Sequence, residues 1–227
     1  MNRSCVFLVA AFTFAFAGPS PAASYQLQAL KEPPPADLAS PVREALAADG
    51  CRIVDAEGKP LADFWFRKEV PEAPPPKEKQ IGAKFEALAE GTLLGAARYH
   101  QKHYDFKDKP FPAGIYTLRL GLQPTDGDHQ GVSETRDFAL LCPASADKDL
   151  SPIPTKESVK LSNQASGTKH PVIVWLRPMK GTAPEKLALV HEKEHDHQVL
   201  DFQIALQGQK EKAVRLGLVV VGVAPEN

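Results

Sequence analysis

The amino-acid sequence predicts an all-β fold: an antiparallel β-sandwich, immunoglobulin-like or jelly-roll-like, with one or two short helices. Two segments and one general pattern carry that expectation. In "PAGIYTLRLGLQ", Ile115, Thr117, Arg119 and Gly121 alternate with Tyr116, Leu118, Leu120 and Leu122. In "LDFQIALQ", Leu200, Phe202, Ile204 and Leu206 share one side, with Asp201, Gln203 and Gln207 opposite. A period of two is that of a pleated strand with one buried face. The general pattern is a series of short β-rich runs separated by turn residues, which favours packed antiparallel layers.

The elements follow in chain order. "CRIVDAEGKPLADFWFRKEV" (51–70) reads as two strands joined by a turn at Glu57-Gly58, with Phe64 and Phe66 on one face and Trp65 on the other. "KEKQIGAKFEALAEG" (77–91) is a short helical candidate that ends on Gly91. "EGTLLGAARYH" follows as a strand, and "PAGIYTLRLGLQ" is preceded by Pro-Ala-Gly turn chemistry. "RDFALLC", "HPVIVWLR", "EKLALVH", "QVLDFQIALQ" and "KAVRLGLVVVGV" bring the expected strands to about nine or ten. Two proline tracts, "KEPPPADL" and "VPEAPPPKEK", favour extended connections, since proline removes a backbone donor and fixes φ.

The beginning of the chain reads as an export signal over residues 1–23. Arg3 supplies a positive start, Cys5–Ala17 an apolar run too short for a stable membrane span, and small residues follow. Residues 24–49 then read as an extended Pro-rich lead-in, and 50–227 as a single sandwich domain. The expected location is secreted or periplasmic. Loss of Arg3 with the signal moves the net charge from -1 to about -2. Such a balance offers no basic field for nucleic acid, and no later stretch is long and apolar enough for a membrane span. In an oxidising compartment Cys51 and Cys142 are either a disulfide or two buried thiols.

Two segments carry metal-ligand chemistry. "HEKEH" (191–195) matches H-E-x-x-H, in which two histidines four apart on a helix share one zinc ion and the glutamate serves its water as base. The interior Lys193-Glu194 pair, and Gln198 and Asp201 where glycine and histidine would extend the motif, weaken that zinc-hydrolase reading. On a continuous strand His191, His195 and His197 would share a face, with Glu192 opposite; such histidines suit zinc or copper without hydrolysis. The other segment, "DGDHQGVSETRD" (126–137), places Asp126, Asp128, Gly131 and Asp137 in calcium-loop spacing, with His129 between them. An ordinary Asp- and Gly-rich turn is the alternative there. His100 and His103 stand three apart. Neither a nucleophile elbow nor a phosphate-binding glycine loop is present.

The run "PAGIYTLRLGLQPTDGDHQGVSETRDFALLCPA", with the closing "LGLVVVGVAPE", resembles an uncharacterised family of exported bacterial β-sandwich proteins with a P-A-G-x-Y-x-L hairpin. The resemblance implies a fold and an export address, and it transfers no catalytic residue. The expected function is therefore a non-catalytic binding or structural module. Its partner would be a cell-envelope component, another protein or a small molecule; a metal-dependent protein is the alternative.

Overall fold

A computed structural model describes residues 25–76, 78, 80–125 and 133–225. The expected signal segment lies outside those residues, as do Asp126, Asp128 and His129 of the candidate calcium loop. Strands take 42% and helices 9%, so the all-β expectation holds at the level of class.

The chain runs β1 (Gln26–Leu30), α1 (Ser40–Ala45), β2 (Gly50–Val54), β3 (Pro60–Phe66), β4 (Glu69–Val70) and β5 (Leu93–Tyr99). It continues through β6 (His103–Tyr104), β7 (Pro110–Phe111), β8 (Gly114–Leu122), β9 (Asp137–Pro143) and α2 (Thr155–Ser166). The last strands are β10 (Ile173–Arg177), β11 (Ala188–Glu192), β12 (His197–Leu206) and β13 (Gln209–Val221). One 11-stranded sheet has the order β1-β2-β3-β5-β8-β9-β10-β13-β12-β11, with β4 paired to β12 off that path and β6-β7 forming a separate hairpin.

The sheet curls on itself. β10 pairs with β9 through Ile173–Trp175 and then with β13 through Leu176 and Arg177, so one strand serves both halves. β4 begins just beyond the end of β3 yet pairs in parallel with β12 from the far end of the sheet. Across the enclosed space Phe66 stacks on Phe202 at a centroid distance of 3.7 Å. The alternating residues read from the sequence line this interior: Phe64 and Phe66, Leu118 and Leu120, Leu200 and Ile204 are all buried in one cluster. Each such side chain removed from water contributes roughly 1.5–3 kcal/mol. Trp65 faces the other way, into a smaller cluster with Val42 and Leu46.

Several local expectations change. Of the helical candidate 77–91, residues 80–91 run through turns, not a helix. The N–H groups of Lys84 and Phe85 are donated to the Asp137 carboxylate, at 2.9 and 3.4 Å, rather than to a helical ladder. The helices are α1 and α2 instead. α2 buries a face of Ser158, Ser162 and Ala165, too polar to register as an apolar stripe. The segment expected as a lead-in contributes β1, paired along its length with β2, and α1, which buries Val42. Cys51 on β2 and Cys142 on β9 are free and buried, with β3, β5 and β8 between their strands. No disulfide joins them; burial pushes both thiols up to about 12.

Candidate metal centre

The hairpin joining β11 to β12 carries the site. Its register pairs Ala188 with Asp201 and ends with Glu192 opposite His197, so residues 193–196 form the turn. Asp196 sits at φ 55°, a left-handed conformation that aspartate tolerates better than most side chains. This geometry explains which residues meet. Paired residues across an antiparallel ladder project to the same face, so Glu192 and His197 come together. The turn interrupts the strand alternation and folds His195 back over them. Ligand atoms of Glu192, His195 and His197 all lie within 4.8 Å of one another.

The geometry of the hairpin bears on both readings of this stretch. H-E-x-x-H forms no helix: His191 lies on β11, His195 in the turn, and they do not share a face. His191 turns away and its Nε2 contacts Asp196 Oδ1 at 2.6 Å, so it drops out of the histidine set. Glu192, placed opposite the histidines by uninterrupted alternation, is instead their neighbour. Its carboxylate lies beside both rings, where it could hold a metal ion together with them.

His197 is the anchor of the group. It is 1% exposed, with the rings of Phe106 and Trp175 edge-on at 5.7 and 6.1 Å and Gly222 against its Cδ2 edge. Its Nε2 is 2.9 Å from the carbonyl oxygen of Val223. A carbonyl only accepts, so Nε2 carries the proton and donates it, which leaves the Nδ1 lone pair of the neutral ring free. That Nδ1 is buried and has no hydrogen-bond partner. It faces Glu192 Oε2 at 3.8 Å. Burial lowers the His197 pKa, so the ring stays neutral at pH values where an exposed histidine begins to charge.

The other two donors are less buried. His195 is 34% exposed at the side chain and stacks on His197 at 5.5 Å between centroids. Its Nδ1 donates to Glu192 Oε2 at 3.1 Å, while Glu192 Oε1 accepts the Glu194 N–H at 2.7 Å. Burial opposes ionisation of Glu192, but the Glu194 N–H, His195 and Arg177 outweigh it and hold the carboxyl below its usual range. Arg177 packs over the Trp175 ring and approaches Glu192 Oε2 to 3.7 Å. Four-coordinate zinc at about 2.0–2.1 Å per bond needs donors roughly 3.3 Å apart. Two imidazoles and one carboxylate suit zinc or copper; calcium would need a shell of oxygens.

The remaining candidates are spent elsewhere. Asp137, last position of the candidate calcium loop, is buried and holds the 84–85 backbone. Asp201 is clasped by Arg215 at 2.7 and 3.0 Å. His100 Nε2 contacts buried Asp63 at 2.9 Å, whereas His103 Nε2 faces the Val220 carbonyl, so these two histidines diverge. Sequence reading missed Glu192 as a neighbour of His195 and His197, and Val223 as the carbonyl facing His197 Nε2. The first was findable, since a four-residue turn between paired strands makes 192 and 197 partners; the second depends on where the chain crosses after β13. No family model matches the chain, and neither does any curated protein or solved structure.

Proposed function

We propose that this chain is an exported, non-catalytic β-sandwich module that binds a transition-metal ion, zinc or copper, through Glu192, His195 and His197. The observation that carries the reading is the buried, unpartnered Nδ1 of His197. A buried polar atom left without a partner costs about 1–3 kcal/mol, and a metal at that lone pair relieves the deficit. The arrangement also has the orientation metal sites use, with the other ring nitrogen donating to a backbone carbonyl. The Arg3-led apolar start and the family resemblance support the exported address, and the layered interior of the curled sheet supports the sandwich.

The test is a competition titration with zinc and with copper(II) against a chromophoric chelator near pH 7. One equivalent should bind. His195→Ala, a change at an exposed position, should weaken binding at least tenfold while the circular dichroism spectrum stays that of the parent. Glu192→Gln should act in the same direction. A folded parent that takes up neither metal, or a His195→Ala variant that binds as the parent does, would overturn the proposal.

A further inference from the structure

A second, chemically different cavity lies on the opposite face of the sheet from the Phe66–Phe202 interior. It has a volume of about 310 Å³ and sits between α2, the ends of β8 to β10 and the tip of the β6-β7 hairpin. Leu122, Phe138, Leu140 and Ile173 give it an apolar floor, and Val159 of α2 an apolar wall. Its size falls in the range that small-molecule sites occupy.

Among the described residues that line it, the exposed charges are cationic; Asp108, between the two lysines in sequence, is exposed but is not part of the lining. Lys107 and Lys109 stand on the hairpin tip, both exposed, and His170 borders the opening. No ion pair joins either lysine to another described residue. Among the described lining residues the one acid, Asp105, is 3% exposed and already engaged. Its Oδ1 accepts the N–H groups of Lys107 and Lys109 at 2.9 Å each, and Oδ2 accepts that of Ile173 at 3.3 Å. The backbone of the hairpin tip is thus locked beside the apolar hole, with both lysines in its lining. Each of these hydrogen bonds of Asp105 is to backbone, so neither ammonium donates to it, although the Lys107 charge acts on the buried carboxylate.

We infer that this cavity binds a small amphiphile with one carboxylate, its hydrocarbon tail on Leu122 and Leu140 and its carboxylate at Lys107 and Lys109. The inference does not rest on the metal centre. Octanoate and its uncharged counterpart 1-octanol are the probes, titrated into isotopically labelled protein and followed by methyl chemical shifts. Octanoate should saturate at one equivalent and move the methyls of Leu122, Leu140 and Val159. The Lys107→Ala/Lys109→Ala variant should weaken octanoate about 3- to 10-fold, as expected for partly exposed ion pairs, and leave 1-octanol unchanged. Val159→Trp, which fills the hole, should abolish both shifts, and His195→Ala should alter neither. Absence of saturable shifts with octanoate would overturn the inference. So would an octanoate affinity equal to that of 1-octanol or indifferent to loss of the two lysines.

Discussion

Gly222→Ala is the sharpest test of the claim that His197 is held ready for a ligand, because it removes no donor atom. A Cβ built on Gly222 would lie 2.2 Å from His197 Cδ2 and 3.2 Å from Nε2. Carbon atoms settle at about 3.5 Å, so the ring or the strand must shift by roughly 1.3 Å. A shift of that size breaks the 2.9 Å contact between Nε2 and the Val223 carbonyl, the bond that fixes the proton on Nε2. Loss of such an orienting partner costs about 10- to 100-fold in metal affinity. The backbone adds its own penalty: φ of 127° disfavours any side chain, at about 1–3 kcal/mol. At 2–4 °C per kcal/mol for a domain of this size, the apo protein should melt roughly 2–12 °C lower. Gly58→Ala is the control. Gly58 also has positive φ, at 79°, but a Cβ there meets nothing within 4 Å, so it carries the strain without the clash. The assay is zinc competition at a temperature where both variants are folded. Gly58→Ala should bind as the parent does and Gly222→Ala at least tenfold more weakly; equal affinity in the two would refute the account of His197.

Three further outcomes follow from buried groups. Asp147→Asn should destabilise by about 3–5 kcal/mol, read as a lower denaturant midpoint, because fully buried Arg119 loses the carboxylate that pairs with it at 2.7 Å. In the metal-free protein, stability should rise with pH up to about 6.5. His197 and His103 both have pKa values lowered by burial, so between their folded values and 6.5 the unfolded chain binds more protons. His197→Gln should flatten that slope in urea titrations across pH 5–7, and an unchanged slope would count against a neutral buried ring. Cys51 and Cys142, with thiols pushed up to about 12, should resist iodoacetamide at pH 8 in the native protein and be labelled once urea unfolds it, as peptide mass mapping would show.

What the sequence revealed and what it hid divide along physical lines. Period-two alternation located β3, β8 and β12 and separated the face of Phe64 from that of Trp65, Leu118 from Arg119 and Phe202 from Asp201; Phe64, Leu118 and Phe202 all lie in the interior cluster. It failed where polar residues are buried. Arg119 stands on the polar side of β8, yet it is fully buried under the loop after β9, donating to Asp147, Gly91 and Ser151. α2 was invisible for the same reason: Ser162 exchanges hydrogen bonds with Val172 and so packs without an apolar stripe. At the hairpin the histidines were found by type, and the wrong one was grouped with the others. A turn at 193–196 changes which side chains share a face, and "HEKEHDH" contains no glycine or proline to announce it.

The case for a site at His197 finally depends on how the other buried polar groups behave. Asp63 accepts from Arg52, Arg98 and contacts His100; burial opposes its charge, but those partners lower its pKa overall. Arg119 is saturated by Asp147 and backbone carbonyls, and Asp201 by Arg215. Asp105 and Asp137 each collect backbone N–H groups. In these the fold supplies partners for what it buries, which is the signature of a structural role. Arg67 Nε, Thr92 Oγ1 and Asn163 Oδ1 are, like His197 Nδ1, buried without a hydrogen-bond partner, but of these four residues only His197 belongs to a cluster of possible metal ligands. His197 receives one such partner, at Nε2, and that partner leaves the opposite lone pair directed at a carboxylate and a second imidazole. A ring required only for packing among Phe106 and Trp175 would be better replaced by an apolar residue of similar size, since burying imidazole with one nitrogen unpaired costs stability. Retaining it therefore makes sense if the pairing is completed from outside the chain, and a cation is the species that a neutral imidazole lone pair beside an ionised carboxylate selects.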